Sequence, residues 1–516
     1  MPSTLRRPRP APPRWPLVLL AMLLPALAGA PAAPPADQPA APAAAARPVH
    51  TWHVMQMNGK RAGHLHTVEL RTPDRIVTES TVRLTIKRGN DAIDLRIEGR
   101  TEETPAGAPI SMRTLQALGS APVETLYTFE PDGVRTVTIS NGQRSESRQP
   151  LPAGAWLTPA AAERAVADAL AKGQKTITVR TIDPSLGLRP IVITRTVLER
   201  TTAEALGRTV PAVKWSVAVD AFPGVVSTEY VDEQGRPIRA ETDLGGIKVV
   251  QLLADKDLAL GPIDAPELLL STMVAPTGAM PDPRSISSAV YRLWVADGRM
   301  PDVPAGCGQT VERIDDRTLR VTVETGPAAA PDAGHPSEPR PEDCLAATQM
   351  LNHADPAVNA LLAKAKVEGL GPAARAEALR AFVHQFIRSK DLSVGFASAG
   401  EVARTRVGDC TEHAVLLAAL LRAAGTPARV VSGLIAVPGP AGKPIFGYHM
   451  WTEAHIADTG RPGWLPLDAT LPPSARFDAT HIRLDASALA DDDSVNFMVK
   501  FAPLFNRLRI DVEHAK

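Results

Sequence analysis

Cys410, His449 and Asp468 are the residues whose types and settings could do chemistry together. A thiolate is a strong nucleophile, and a neutral imidazole can take the thiol proton. A carboxylate on the far ring nitrogen then holds the imidazole's tautomer and orientation. Cys410 lies in TRVGDCTEHAVLLAALLRAAGTPARVV (405–431). Gly408 leaves the backbone room before a helix, Asp409 or Cys410 sits at its start, and residues 414–424 are apolar or small apart from Arg422. Gly425 and Pro427 are stop signals. The run predicts a buried helix with the thiol at its N-terminal end. There the unpaired N–H groups and the macrodipole favour an anion, lower a thiol's pKa and can face a developing oxyanion. Two strand-like runs follow, RVVSGLIAV (429–437) and GYHMWTEAHI (447–456), and a third, GWLPLDAT (463–470), leads to Asp468. Alternation puts His449, Trp451 and Glu453 on one strand face. One helix and neighbouring strands can bring all three residues together.

The polar neighbours read as supporting cast. His413, one turn into the helix, and His455, on a strand, are expected to be structural, and Trp451 and Trp464 to wall the site. Glu453 fits either a partner standing behind the site or a solvated strand residue.

GDCTEHAVLLAALLRAAGTPARVV, YHMWTEAHI and GWLPLDAT, in that order, resemble the core of the transglutaminase-like superfamily of papain-like thiol enzymes, in an exported bacterial member. That family's pattern is a Gly-x-Cys at a helix start, an apolar helix ending in a leucine-arginine run and a Gly-x-Pro turn, then a strand His-x-Trp and a Trp followed by Asp-x-Thr. The resemblance spans roughly residues 350–475. It implies a papain-like fold with Cys410, His449 and Asp468 as the catalytic triad, and it implies no cofactor and no metal. One feature departs from the pattern. Family members commonly carry an aromatic residue upstream of the cysteine that helps form the oxyanion hole. Here that stretch reads FIRSKDLSVGFAS, with Phe396 but no Trp or Tyr, so a donor would have to come from another segment such as Gln385.

The elements that must position these residues begin with two helices, one opened by Asp355-Pro356 and closed at Gly369, the other PAARAEALRAFVHQFIRSK with apolar positions 379, 382, 383, 386 and 387. Upstream, from His50 to about Lys256, the pattern is strand after strand, rich in Val, Ile and Thr with period-2 alternation. Asn58-Gly59 is a hairpin signal. A single helix interrupts, with Thr158 as N-cap, Pro159 at its first position and Gly173 beyond its end. These signals predict a large antiparallel sheet, curved or closed, with the helix packed on it. His50, His53, His64 and His66 cluster in sequence, but no carboxylate or Cys completes a ligand set, and they read as solvated or cross-strand residues. Residues 289–298 and 318–326 are strand-like, and 327–343 is a Pro-rich loop flanked by Cys307 and Cys344, which could pair in an exported chain.

At the front, Arg6, Arg7, Arg9 and Arg14 precede the apolar run Trp15 to Ala28, and Ala26-Leu27-Ala28 fits a small-x-small cleavage site. This is a secretory signal pattern, too short for a spanning helix. Residues 31–48 are mostly Pro and Ala and read as an extended tether. The expected organisation is therefore a signal peptide (1–28), a Pro/Ala linker (29–48), a β-rich N-terminal domain (49–270), connector strands with the Pro-rich loop (271–345) and a transglutaminase-like domain with a C-terminal extension (346–516). The fold class is α+β, a papain-like C-terminal domain preceded by a large antiparallel β-rich domain. A chain of 516 residues needs more than one core. With Lys+Arg and Asp+Glu both at 56, it lacks the positive excess that nucleic-acid binding needs. Three Cys exclude a disulfide-dense scaffold and a multi-cysteine zinc site.

Two functions compete. The first is a periplasmic or secreted thiol enzyme that acts on amide bonds of a peptide or protein through a thioester, with hydrolysis favoured over transfer because water is always present as acceptor. No calcium loop supports a calcium-activated cross-linker. The second is a non-catalytic cell-envelope binding or scaffold protein that uses the papain-like domain as a module. In either case no stable membrane insertion is expected after signal removal. The β-rich half, which carries no catalytic constellation, is expected to bind substrate, a protein partner or another copy of the chain.

Overall fold

The computed structural model describes residues 47–516 except 89–90, 119–121, 141, 223, 233–234, 245, 269–272, 327–337, 390–395, 440–441, 457–462, 491–500 and 502–503. The signal segment 1–28, nearly all of the linker and most of the Pro-rich loop lie outside the described residues. Among those described, no helix is long and apolar enough to cross a membrane.

The period-2 pattern of the front half folds into one 14-stranded antiparallel sheet made of two meanders. The first runs from Val49–Met57 to Gln143–Gln149 and the second from Thr176–Thr181 to Ile247–Ala254. The first strand of one meander pairs with the last of the other, Trp52 opposite Ala254 and Met57 opposite Val249. Asn58 and Gly59 have φ of 50° and 78°, the left-handed pair that a two-residue hairpin turn of matching twist requires. The helix Pro159–Ala171 buries Ala162 and Val166 against the sheet. Ile97 of the first meander and Val179 and Ile193 of the second line one cavity beside this helix, so the sheet curls round it.

The connector does not stand alone. Ser288–Val295, Gln309–Asp315 and Thr318–Glu324 form a four-stranded antiparallel sheet with the last strand of the chain, Leu508–Ala515. Tyr291 Oη donates to Ala479 O at 3.0 Å, which ties this sheet to the next unit.

That unit holds the helices Pro356–Ala365, Pro372–Phe386, Ala399–Thr405 and Cys410–Ala423 and a five-stranded sheet. The strand Pro444–Ile456 lies between Ala428–Pro438, which in turn pairs with Ile482–Ser487, and the short strands Met273–Val274 and Gly463–Leu467. Residues 410–422 are all buried, as expected of a helix that is apolar on every side. Its leucines, each worth about 1.5–3 kcal/mol when fully buried, fill a core with Leu379, Val383, Val430 and Ala454. The stop at Gly425 leaves Arg422 buried at the helix end, where it donates to the carbonyls of Ala346, Ala428 and Ala488. The helix expected to close at Gly369 ends earlier, with Lys366 left-handed at φ 51°.

Two expectations need correction. The chain is a large antiparallel β-rich region followed by a unit of helices on a five-stranded sheet, more β-rich than α+β describes, because the 14-stranded sheet and the connector strands together outweigh six helices among the described residues. Cys307 and Cys344 form no disulfide. Cys307, in a left-handed turn, directs its Sγ to Trp464 O at 3.6 Å, while Cys344 is fully buried at the end of a short helical turn.

Candidate active site

The helix that carries the thiol starts where the local residues dictate. Asp409 is the N-cap, and its Oδ1 accepts from Thr411 N at 2.9 Å and Thr411 Oγ1 at 2.8 Å. Glu412 closes the capping box by accepting from Asp409 N at 2.8 Å, and its other oxygen accepts from Ala397 N at 2.9 Å. Gly408 is required because a Cβ there would lie 2.2 Å from Glu412 Cβ. Cys410 is thus the first residue of the helix and is 2% exposed. Burial, then the charge of Asp409, push the Glu412 carboxyl well above its ordinary range.

The strand Pro444–Ile456 docks on this helix, with Thr452 Oγ1 donating to Ala414 O at 2.9 Å. His449, earlier on the same strand, donates from Nε2 to Asp468 Oδ2 at 2.8 Å. Its Nδ1 is the ring nitrogen not turned to Asp468. Asp468 follows the strand Gly463–Leu467, and the helix Pro372–Phe386 fixes its loop. Arg380 donates to Asp468 O at 3.2 Å, and His384 Nδ1 to Ala469 O at 3.1 Å. Asp468 Oδ1 accepts from Thr470 N at 2.8 Å and Oγ1 at 2.6 Å. Burial opposes ionisation of Asp468, but the charges and hydrogen bonds of His449 and His481 outweigh it and hold the carboxyl well below its ordinary range.

His481 is the residue that sequence reasoning missed. Its Nε2 lies 3.2 Å from Asp468 Oδ2, and its Nδ1 3.0 Å from Asp478 O. A signal was present: Asp-Ala-Thr occurs at 468–470 and again at 478–480. Both copies make the same turn, with the aspartate Oδ1 accepting from the threonine N and Oγ1. The ligand atoms of His449, Asp468 and His481 lie within 4.8 Å of one another. Both Nε2 atoms, however, approach the same carboxylate oxygen at hydrogen-bond distance, which is two donors on one acceptor. Zinc would need three separate lone pairs about 2 Å from one point.

The remaining residues fall as follows. Trp451 lies 6.2 Å, ring to ring, from His449 and edge-on to His481 at 5.4 Å. His413 Nδ1 donates to Asp409 O at 2.5 Å inside the helix start, and His455 meets Trp464 edge-on at 5.3 Å. Glu453 is fully buried and accepts from Arg429 Nε at 2.7 Å and Arg483 Nε at 3.0 Å. Of its two readings, the solvated one is excluded. Gln385 is exposed on its helix, and Phe396 N donates at 3.3 Å to O of Leu118, which follows the strand Pro109–Ala117 of the large sheet. His50 and His66 stack across strands, His66 stacks on Trp52, and buried His53 bonds Pro237 O, so these histidines stand in cross-strand contacts.

Residues 361–469 match the family model of the transglutaminase-like superfamily, and this segment is a transglutaminase-like domain. The match includes Cys410, His449 and Asp468 and stops short of Asp478 and His481. Among solved structures, a β-barrel-like protein of a domain of unknown function from Brucella abortus is 12% identical, with a TM-score of 0.31 over 40% of this chain and 96% of its own. The periplasmic domain of TgpA from Pseudomonas aeruginosa is 20% identical, with a TM-score of 0.25 over 38% of this chain and 86% of its own. No curated protein matches the chain.

Proposed function

We propose that the chain is an exported cysteine enzyme acting on amide bonds of a peptide or protein substrate. Cys410 is the nucleophile, His449 the general base and acid, and Asp468 the group that orients His449. The observation that carries this reading is the 2.8 Å bond from His449 Nε2 to Asp468 Oδ2, buried on a strand docked against the helix that Cys410 opens. The arginine-flanked apolar run at 15–28 supports work outside the cytoplasm.

In the reaction, His449 Nδ1 takes the Cys410 proton and Sγ attacks the amide carbon. The carbonyl π electrons move onto oxygen, and the N–H of Cys410 at the helix start stabilises the oxyanion. When the oxyanion collapses, the C–N bond breaks and the leaving amine takes the proton from His449. A water molecule gives a proton to His449 and attacks the thioester. The C–S bond breaks, releasing an acid and regenerating the thiol. An amine in place of water would complete a transfer. Hydrolysis is the favoured course, since water needs no binding site.

The test is alkylation of the full chain by iodoacetamide across pH, with Cys410 followed by peptide mass spectrometry. Cys410 should react at mildly acidic pH faster than a free cysteine model, and His449→Ala should slow it. On a peptide substrate, Cys410→Ala should abolish turnover, and Asp468→Asn should lower it by about 10⁴, the loss seen when a triad carboxylate is removed. An alkylation rate unchanged in His449→Ala would overturn the reading and favour a binding or scaffold role.

A further inference from the structure

We infer that His481, outside the segment that matches the transglutaminase-like family, is a positioning residue of this site: it anchors Asp468 and, as a fixed cation, sets how much of that carboxylate's charge is left for His449. The inference rests on the proposed pairing of Cys410 with His449.

The geometry starts with Asp468, whose two oxygens are fully used. Thr470 donates twice to Oδ1, and the Nε2 atoms of His449 and His481 converge on Oδ2 at 2.8 and 3.2 Å. A carboxylate oxygen only accepts, so His481 Nε2 carries a proton. On the other side of its ring, Nδ1 faces Asp478 O at 3.0 Å and Asp478 Oδ1 at 3.5 Å. These too are only acceptors, so Nδ1 is also protonated and His481 is an imidazolium. Arg284 Nη1 stands 2.7 Å from Asp478 Oδ2. Charge therefore alternates inward as Arg284, Asp478, His481, Asp468, with His449 at the end. Burial alone would make His481 harder to protonate, but the charge of Asp478 and the bonds to Asp468 and Asp478 lift it to about 9. Phe477 stacks on its ring at 3.9 Å and Trp451 meets it edge-on, which fixes its plane.

An ordinary triad carboxylate has one imidazole to serve. Here a second, charged ring shares the same oxygen, and its centroid is 6.0 Å from that of His449. The cation opposes protonation of His449. The other ionisable groups on elements packed around the pair are Cys410, Asp409 and Glu412 at the helix start, Glu377, Arg380 and His384 on the helix behind Asp468, and Arg483 beyond His481. None of the hydrogen bonds described for these groups reaches the Asp468 oxygen that the two histidines share.

The test uses the full chain and two alkylating reagents, chloroacetate and chloroacetamide, with Cys410 followed by mass spectrometry. The anionic reagent is favoured over the neutral one only while His449 is an imidazolium, so the pH at which the rate ratio falls reports its titration. Removing a unit charge 6.0 Å away should raise that pH by about one to two units at an effective dielectric of roughly 20 to 40. His481→Gln keeps a donor for Asp468 and loses the charge, while His481→Phe loses both. Both should show the upward shift, and only His481→Phe should also slow alkylation at every pH. Should either fail to fold, Asp478→Asn, which weakens the cation without touching Asp468, should shift the ratio in the same direction. If the wild-type ratio depends on His449 and none of these variants moves it, this inference is overturned and the proposed pairing stands. If the wild-type ratio is insensitive to His449→Ala, the pairing itself fails.

Discussion

Replacing Glu453 by Gln tests the buried charge cluster that supports the site. Glu453 lies on the strand of His449, two alternations along the same face, and is directly opposite Arg429 in the sheet. Its carboxylate accepts from Arg429 Nε at 2.7 Å and from Arg483 Nε and Nη2 at 3.0 and 3.1 Å. Arg483 is two residues from His481, so this cluster ties the His449 strand to the segment that supports Asp468. Glu338 gives both guanidiniums a second anion. In Glu453→Gln the two cations would share Glu338 alone, leaving one uncompensated buried charge. Breaking a buried pair from one side typically costs about 3–5 kcal/mol. An independent route agrees. Burial opposes ionisation of Glu453, but Arg483 and Arg429 hold its carboxyl down at about 2, against an ordinary 4.5. At about 1.4 kcal/mol per pH unit that difference is worth roughly 3 kcal/mol. Because the folded value is depressed, this stability is fully present above pH 4.5 and lost as pH falls through 2. For a unit of 150–250 residues, roughly 3 kcal/mol lowers Tm by about 6–12 °C. Thermal melts of wild type and Glu453→Gln at pH 7, repeated down to pH 2.5, should show that gap narrowing with acid. A Tm within 2 °C of wild type at pH 7, or a gap that does not change with pH, would refute the argument.

Gly433 lies opposite His449 in the sheet, and an added Cβ would sit 2.3 Å from Ile482 O and 2.4 Å from the Trp451 ring. Gly433→Ala should therefore cost about 1–3 kcal/mol and slow Cys410 alkylation by pressing Trp451 toward His449 and His481. A variant unchanged in both melt and alkylation would show that the ring is not wedged there. Thiol titration of the denatured chain without reductant should count three groups, since none of the three cysteines is in a disulfide, and a count of one would restore the Cys307–Cys344 bridge. In the native chain Cys344 should stay silent at neutral pH, because burial pushes its thiol up to about 11.

The sequence alone determined what depends on near neighbours. Asn58-Gly59 specifies its turn because two left-handed residues in a row suit few other pairs. The start of the Cys410 helix follows from Gly408, Asp409 and the apolar run behind them, all within one segment. Alternation along 447–456 puts His449, Trp451 and Glu453 on one face for the same reason, since strand geometry repeats every two residues. Periodicity cannot say whether that face meets water or other charges. Glu453 became an ion-pair centre because Arg429 and Arg483 arrive from other strands of the sheet and Glu338 from a loop before the helices. Cys307 and Cys344 look like a pair by elimination, but a disulfide depends on where two sulfurs meet in space, and the fold gives each thiol its own surroundings. The balance of β over α followed from the 14-stranded sheet together with the connector strands, one of which pairs with the distant C-terminal strand. His481 shows the division most clearly. Its Asp-Ala-Thr turn is local and was written in the chain, whereas its place on Asp468 Oδ2 beside His449 exists only where the strand Ile482–Ser487 joins the sheet.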